Sequence, residues 1–284
     1  MSEKIIEVSG LQKSYKENHV LKGVSFTIDK GSIFALLGSN GAGKTTIIKI
    51  LSTLLKPDGG SAIINGFDVA KNADNVRECI SLTGQFVAVD EVLTGRENLR
   101  LIGQLKRLPN LKSTVNEWLS FSRLEDEADR KVFTYSGGMR RRLDIAMSLM
   151  GKPDVLFLDE PTTGLDPQNR IAMWDLVKDL ANAGTTVFLT TQYLEEAEYL
   201  ADNIAILHGG KIIAEGTPKY LKEIMPERGM RLIFDSEVKA NSAIKLLIEN
   251  GISADSIEQN LPSLEDVFLT LIDEKKERNQ HEKI

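Results

Sequence analysis

The segment Gly38-Ser39-Asn40-Gly41-Ala42-Gly43-Lys44-Thr45 matches the pattern G-x-x-x-x-G-K-[ST], and Thr46 carries it into the next element. Its glycines let the backbone curl until successive amides face one anion, and a helix N-terminus behind them adds partial positive charge. In such a cradle Lys44 spans the β- and γ-phosphates of a nucleoside triphosphate, and the Thr45 hydroxyl holds Mg²⁺. A second chemistry-bearing pair, Asp159 and Glu160, follows directly on Val155-Leu156-Phe157-Leu158. Four consecutive apolar residues imply a strand buried on both faces, with polar groups only at its ends. There Asp159 is expected to accept from metal-bound water, and Glu160 to polarise an attacking water. Together the two segments point to hydrolysis of a nucleoside triphosphate.

These groups need elements to position them. Residues 4–37 alternate as strands and end in the fully apolar run Ile33 to Leu37, just ahead of the phosphate loop. Behind the loop the spacing turns helical until Lys56-Pro57-Asp58-Gly59-Gly60 breaks it. Thr94 and Glu97 fit a capping box that opens a helix near Asn98, and residues 96–130 read as helical with breaks at Pro109 and Ser120. Asp166-Pro167 marks a further helix start, with Asp as N-cap and Pro in the first turn. Val187 to Leu189 and Ile204 to Leu207 are short strands, and Thr190, Thr191 and Gln192 give the first of them a polar tip. Strands alternating with helices imply an α/β fold: a mostly parallel sheet wrapped by helices, with the early antiparallel strands as a side layer. The expected organisation is a nucleotide-binding domain over 1–224, with a helical subdomain at about 86–150. A small α/β lobe over 225–272 and a charged, solvated tail over 273–284 follow. Within the lobe, Arg231 to Phe234 reads as a strand, Val238 to Glu249 as a helix, and Ser263 as the cap of a last helix.

Composition removes several classes. A formal charge of -6 and 6% aromatics give neither the basic face nor the stacking surface of a nucleic-acid binder. The one cysteine, Cys79, builds no disulfide framework or thiolate zinc site and is expected to be a small buried residue. The start MSEKIIEVSG lacks the features of a signal peptide, and no run reaches the roughly 18 apolar residues of a membrane span. A cytoplasmic chain is expected, working at a membrane only through a partner.

Phosphate loops serve many enzymes, so the deciding stretch is Tyr135-Ser136-Gly137-Gly138-Met139, followed by RRRLDIAMSLMGKPDVLFLDEP. Ser136 opens a helix whose apolar positions are Leu143, Ala146, Met147 and Met150, a second anion-receptive N-terminus. This stretch resembles the signature of ATP-binding cassette ATPases. With LTGQFVAVDEVLTGREN and the late LPSLEDVFLTL, the chain is most similar to the ATP-binding proteins of daunorubicin/doxorubicin-resistance-type exporters, over residues 3 to about 218. The resemblance implies a phosphate-loop NTPase core in which two cassettes, two copies of this chain or this chain with a paralogue, meet head to tail. The Ser136, Gly137 and Gly138 segment of each would then close over the other's ATP. Tyr15 matches the aromatic that stacks on adenine, Gln85 the glutamine that senses Mg²⁺ and relays to the membrane partner, and Asp166 the loop that contacts the opposite cassette.

Two positions depart from the family pattern. Most cassettes have a histidine at the polar strand tip; here the histidines are His19, His208 and His281, and Gln192 takes the place. An amide donates to a phosphate oxygen but carries neither a proton nor a charge to strengthen the bond. The drug-resistance-type subgroup commonly reads TTQYLEEA here, so Gln192 is expected to serve as a variant phosphate sensor, the alternative being a cap for the next helix. Met139 stands where other cassettes often have glutamine. The implied function is the ATPase of an exporter, with a transmembrane permease docked over the Gln85 to Asn98 region. A soluble cassette ATPase acting on ribosomes or DNA is the rival; such proteins usually hold two cassettes, coiled-coil insertions or Cys-rich insertions. A small-molecule kinase would leave the signature stretch idle.

Overall fold

A computed structural model of the chain describes residues 3–223 and, beyond them, 242, 243, 245–247, 249 and 250. It divides into two compact units, Met1–Glu215 and Gly216–Ile284. In the second, Pro218–Glu223 is a short helix, and the described positions between 242 and 249 are helical, as expected for Val238 to Glu249. The expected strand Arg231 to Phe234, the helix from Ser263 and the tail lie outside the described residues.

The first unit is built on two sheets. The side layer comprises β1 (Lys4–Tyr15), β2 (Asn18–Asp29), β4 (Gly59–Ile64) and β5 (Phe67–Asp68), antiparallel in the order β2-β1-β4-β5. Alternation buries Ile6, Val8, Val24, Phe26 and Ile28 on its inner face, as a half-buried sheet requires. The core sheet has the order β10-β9-β3-β8-β7-β6, drawn from β3 (Ile33–Leu37), β6 (Ile80–Thr83), β7 (Val155–Asp159), β8 (Thr186–Thr191), β9 (Asn203–His208) and β10 (Lys211–Gly216). From β9 through β6 the neighbours run parallel, and every residue of β3, β7 and β8 is buried. One ring of the side layer joins it to a row of three in the core sheet. Phe26 of the side sheet stacks on Phe34 at 5.1 Å, and Phe34, Phe188 and Phe157 continue across β3, β8 and β7 at 5.6 and 5.5 Å. Such pairs contribute roughly 0.5–1.5 kcal/mol each beyond the area they bury.

Register decides where the polar strand ends fall. Phe34 pairs with Phe188 and Phe188 with Phe157, so Leu37 meets Thr191 and Asp159 meets Thr190 at one edge of the sheet. The helices α1 (Lys44–Leu51), α2 (Ala73–Cys79), α6 (Pro167–Asn182) and α7 (Leu194–Leu200) lie between strands in sequence, and Cys79 is buried as expected.

Between β6 and β7 comes a helical segment: α3 (Gly95–Leu105), α4 (Leu111–Phe121) and α5 (Gly137–Leu149). Thr94 is the N-cap of α3, with Oγ1 accepting from Glu97 N at 3.1 Å and Thr94 N donating in turn to the Glu97 carboxylate at 2.7 Å. The expected apolar face of α5, Leu143, Ala146, Met147 and Met150, is buried. One expectation fails: residues 122–130 are turns, not helix. The Ser122 hydroxyl bonds back to Trp118 O at 2.7 Å, and Arg123 turns left-handed at φ 54°, which ends α4 although Leu124 and Ala128 keep a helical spacing of buried positions. Among the described residues no helix is long and apolar enough to cross a membrane.

Candidate functional site

The phosphate loop leaves β3 at Gly38, whose amide donates to Thr191 O at 3.1 Å. A Cβ there would lie 2.6 Å from Leu207 O, so a side chain would drive the loop off the neighbouring strand. Gly43, the N-cap of α1, has φ +113°, and a Cβ would meet Leu21 Cδ2 at 2.8 Å. With both close approaches met, α1 begins at Lys44 and its first amides face the loop. Lys44 is 5% exposed, and its ammonium donates to Gly38 O at 2.7 Å and Ser39 O at 3.3 Å.

Facing it is the end of β7. Thr190 Oγ1, fully buried, donates to Asp159 Oδ1 at 2.5 Å. Glu160 N donates to Thr190 O at 3.1 Å and to its Oγ1 at 3.2 Å. Those bonds hold Glu160 at φ 49°, a left-handed conformation that costs a non-glycine residue about 1 kcal/mol or more and turns its side chain off the strand line. The carboxylate is anchored on both oxygens: Oε1 lies 3.2 Å from Lys44 Nζ, and Oε2 accepts from Thr163 Oγ1 at 3.2 Å.

Between these elements lies a cavity of about 210 Å³. It is lined by Ser39, Asn40, Gly41 and Gly43 of the loop, by Lys44, Thr45 and Thr46 at the start of α1, and by Gln85, Asp159 and Glu160. Gly38 and Ala42 belong to the loop without lining the cavity. The hydroxyl of Thr45, the amide of Gln85 and the carboxylate of Asp159 are hard oxygen donors with a single charge among them. Among the described residues no group of three His, Cys, Asp or Glu side chains could hold a metal alone. That donor set fits Mg²⁺ arriving with a nucleotide, since Mg²⁺ binds through one or two carboxylates, water and phosphate oxygens.

The other expected site residues lie elsewhere. Tyr15 ends β1, 46% exposed, with Lys13 Nζ 6.0 Å from its ring centre. Ser136 is the N-cap of α5, its Oγ accepting from Met139 N at 3.3 Å, and Gly137 and Gly138 form the first turn. Gly138 sits against Asn169, where a Cβ would fall 2.8 Å from Asn169 Cβ and closer still to its amide. Asn169 in turn donates from N (3.0 Å) and Nδ2 (2.5 Å) to Asp166, holding that carboxyl below its usual range. The signature and Asp166 thus form one cluster, α5 start against α6 start, apart from the cavity. Gln192 follows β8 one residue after Thr191, which pairs with Leu37 just before the phosphate loop. It does not cap α7: Tyr193 is the N-cap residue, and the Tyr193 amide donates to Thr191 Oγ1 at 2.9 Å.

The polar tip of β8 therefore divides its work. Thr190 fixes Asp159 and Glu160, Thr191 accepts from the Tyr193 amide just ahead of α7, and Gln192, half-buried, lies between Thr191 and that amide in sequence. Sequence reasoning marked Thr190 only as part of a polar strand tip, without its partner, and missed Thr163 and Glu196, which is fully buried and accepts from Thr162 Oγ1 at 2.8 Å and Trp174 Nε1 at 3.1 Å. Burial pushes the Glu196 carboxyl up. The available signal was the strand pattern itself, since a threonine opposite the last residue of a buried strand has few other partners.

Comparison with known proteins bears on this arrangement. The family described as ABC transporter matches residues 21–163. The daunorubicin/doxorubicin resistance ATP-binding protein DrrA of Streptomyces peucetius is 48% identical over 251 residues, covering 87% of this chain and 76% of that protein. Among solved structures, an ATP-binding subunit of an ABC transporter aligns with TM-score 0.72 and 27% identity over 94% of this chain and 99% of its own. A dimeric ATP-binding cassette in a post-hydrolysis state with ADP and Pi aligns with TM-score 0.67 and 26% identity over 75% and 98%. The chain belongs to the ABC transporter family, as an ATP-binding and ATP-hydrolysing subunit.

Proposed function

We propose that this chain powers export of a drug-like solute through a separate transmembrane permease, and that ATP is cleaved between two cassettes. The observation that carries the reading is the separation of two anion-receptive elements on one chain. The phosphate loop lines a cavity with Asp159 and Glu160, whereas the Ser136-Gly137-Gly138 start of α5 lines none of it. A second cassette, identical or paralogous, gives that helix start a triphosphate to face. The dimeric relative with ADP and Pi supports such a pairing, and the name of the Streptomyces protein supports a drug as cargo.

In this reading the loop amides from Gly38 to Thr46 cradle the phosphates, and Tyr15 stacks on the base. Thr45, Gln85 and Asp159 are the side chains that would hold Mg²⁺, which when bound would supply positive charge to offset that of the phosphates. Lys44 and Glu160 are ion-paired at 3.2 Å. A γ-phosphate brought between them competes for the ammonium and leaves the Glu160 carboxylate to orient the attacking water. Gln192 donates to a γ-phosphate oxygen, and Asp166 meets the opposite cassette. The permease docks where Phe86, 87% exposed, and Val92, 74% exposed, present apolar surface near Gln85, and it places this chain at the inner face of the membrane. The acidic net charge argues against a nucleic-acid partner.

Glu160→Gln removes the water-orienting carboxylate while keeping its shape. It is expected to arrest turnover and to give an ATP-bound dimer by size-exclusion chromatography with light scattering. A monomer persisting in saturating Mg-ATP overturns the paired site, and absence of any spanning protein from the membrane fraction that holds this chain overturns the exporter.

A further inference from the structure

One turn into α5, a pair of opposite charges is buried that the mechanism so far leaves unused. Arg141 and Asp144 are 4% and 5% exposed, with Nη1 and Oδ2 3.4 Å apart. Burial of two charges is tolerated when their remaining donors and acceptors are matched, and here each match falls on the edge of the cavity's machinery. Arg141 Nη1 donates to Gly84 O at 2.6 Å, Nε to Pro161 O at 3.1 Å and Nη2 to Asp159 O at 3.4 Å. Asp144 Oδ1 accepts from Ala88 N at 3.1 Å. Gly84 and Ala88 bracket Gln85, Phe86 and Val87; Asp159 and Pro161 bracket Glu160. The pair thus grips both ends of the span that carries Gln85 and both neighbours of Glu160. Phe86 and Val87, between the grips, are 87% and 38% exposed, so the span is pinned at its feet and open at its crest.

The same helix begins at the signature. Arg141 follows Ser136 by five positions, about 7.5 Å along a rigid α-helix at 1.5 Å per residue. A planar guanidinium with donors in a fixed fork suits one residue reaching three carbonyls on two different segments, which a lysine cannot do.

We propose that Arg141 and Asp144 are positioning residues for hydrolysis: they set Gln85 and Glu160 relative to each other across the cavity and carry displacements of the signature helix to both. The inference rests on the roles given above to Gln85 and Glu160. A displacement of α5 by a neighbouring subunit then moves Gly84 and Pro161 together, so closure over one nucleotide is reported to the chain's own site and to the exposed crest at Phe86.

The test uses the full chain with Arg141→Lys, Asp144→Asn and the apolar double variant Arg141→Met/Asp144→Leu, which avoids stranding one buried charge. A Cys79→Ala/Phe86→Cys background reports the crest by its rate of maleimide labelling. For Arg141→Lys and the double variant, kcat is expected to fall about tenfold, the usual scale for removing the support of a metal-site residue. The Mg²⁺ concentration for half-activation should rise, labelling at position 86 should quicken, and affinity for a non-hydrolysable ATP analogue should hold. Asp144→Asn keeps an oxygen for Ala88 N and should fall between these and the parent. A folded double variant with unchanged kcat and Mg²⁺ activation overturns the proposal. So does a loss of kcat in which labelling and Mg²⁺ activation stay put, because that is what a purely structural pair would give. Should the double variant not fold, Arg141→Lys, which keeps a charge opposite Asp144, decides by the same readouts. Gln85→Ala and Glu160→Gln run alongside. If they behave as wild type, the site reading is at fault; if they fail as expected and the Arg141 variants do not, the clamp alone is wrong.

Discussion

Thr186 opens β8 and Thr190 is its last residue but one; both are fully buried, and each makes a hydrogen bond through Oγ1. Thr190 donates to the Asp159 carboxylate at 2.5 Å, whereas Thr186 accepts from the neutral Gly31 amide at 2.9 Å. Replacing each by valine keeps the β-branched shape and deletes only the hydroxyl. A hydrogen bond to a charged group contributes roughly 1.5–3 kcal/mol and one between neutral groups roughly 0.5–1.5 kcal/mol, so Thr190→Val should cost about twice as much. For a domain of this size, at about 2–4 °C per kcal/mol, a loss of roughly 2 kcal/mol lowers the unfolding midpoint by about 4–8 °C, and Thr186→Val lowers it by about half that. The functional contrast is sharper. Thr190 orients Asp159 and shares its hydroxyl with Glu160 N, so Thr190→Val should reduce ATP hydrolysis at least tenfold, by the usual scale for outer-shell partners of a metal site. Thr186→Val should leave hydrolysis unchanged. Differential scanning fluorimetry and a phosphate-release assay on the two purified variants read both quantities. Equal hydrolysis by the two variants, or a midpoint for Thr190→Val no lower than for Thr186→Val, would refute the argument that Thr190 holds the carboxylates in place.

Gln192→Ala should lower ATP turnover while nucleotide binding stays largely intact, since Gln192 caps nothing and lies just past the strand that pairs with β3. Turnover equal to wild type would remove it from the mechanism. Glu196→Gln should raise thermal stability, by an amount that depends on pH. Burial raises the folded carboxyl's pKa above its unfolded value. The stability linked to that raised pKa is full below the unfolded pKa and is lost as pH rises through the folded one. The variant's advantage should therefore shrink on acidification from about pH 8 to about pH 5, and an advantage independent of pH would show that Glu196 does not titrate in its buried setting.

The segments that announce themselves in the sequence share one property: the chemistry depends on neighbours along the chain. The phosphate loop, the capping box at Thr94 and the Asp166-Pro167 start are of this kind, and the structure has each where the residues place it. The apolar runs of β3, β7 and β8 were legible because strands buried on both faces tolerate nothing else. What stayed hidden was set by register between distant strands. Thr190 meets Asp159 across 31 positions, and Arg141 meets Gly84 across 57. No spacing rule reaches that far. The helix expected through residue 130 went wrong for a local reason, because Leu124 and Ala128 keep a helical period while the Ser122 hydroxyl turns back on α4 and Arg123 leaves the helical region.

The column of rings running from Phe26 through Phe34 and Phe188 to Phe157 crosses from the side layer into the core sheet with every contact at or below 5.6 Å. It works as a rivet. Shearing one sheet past the other would strip Phe26 from Phe34 and from Phe188, 6.0 Å away, while the other rings stayed together within the core sheet, so the layers resist sliding and hold as one block. The helical segment carries none of these rings; it leaves that block after β6 and re-enters it at β7. A stroke delivered to a membrane partner would swing about those two crossings, with the riveted sheets as its anvil.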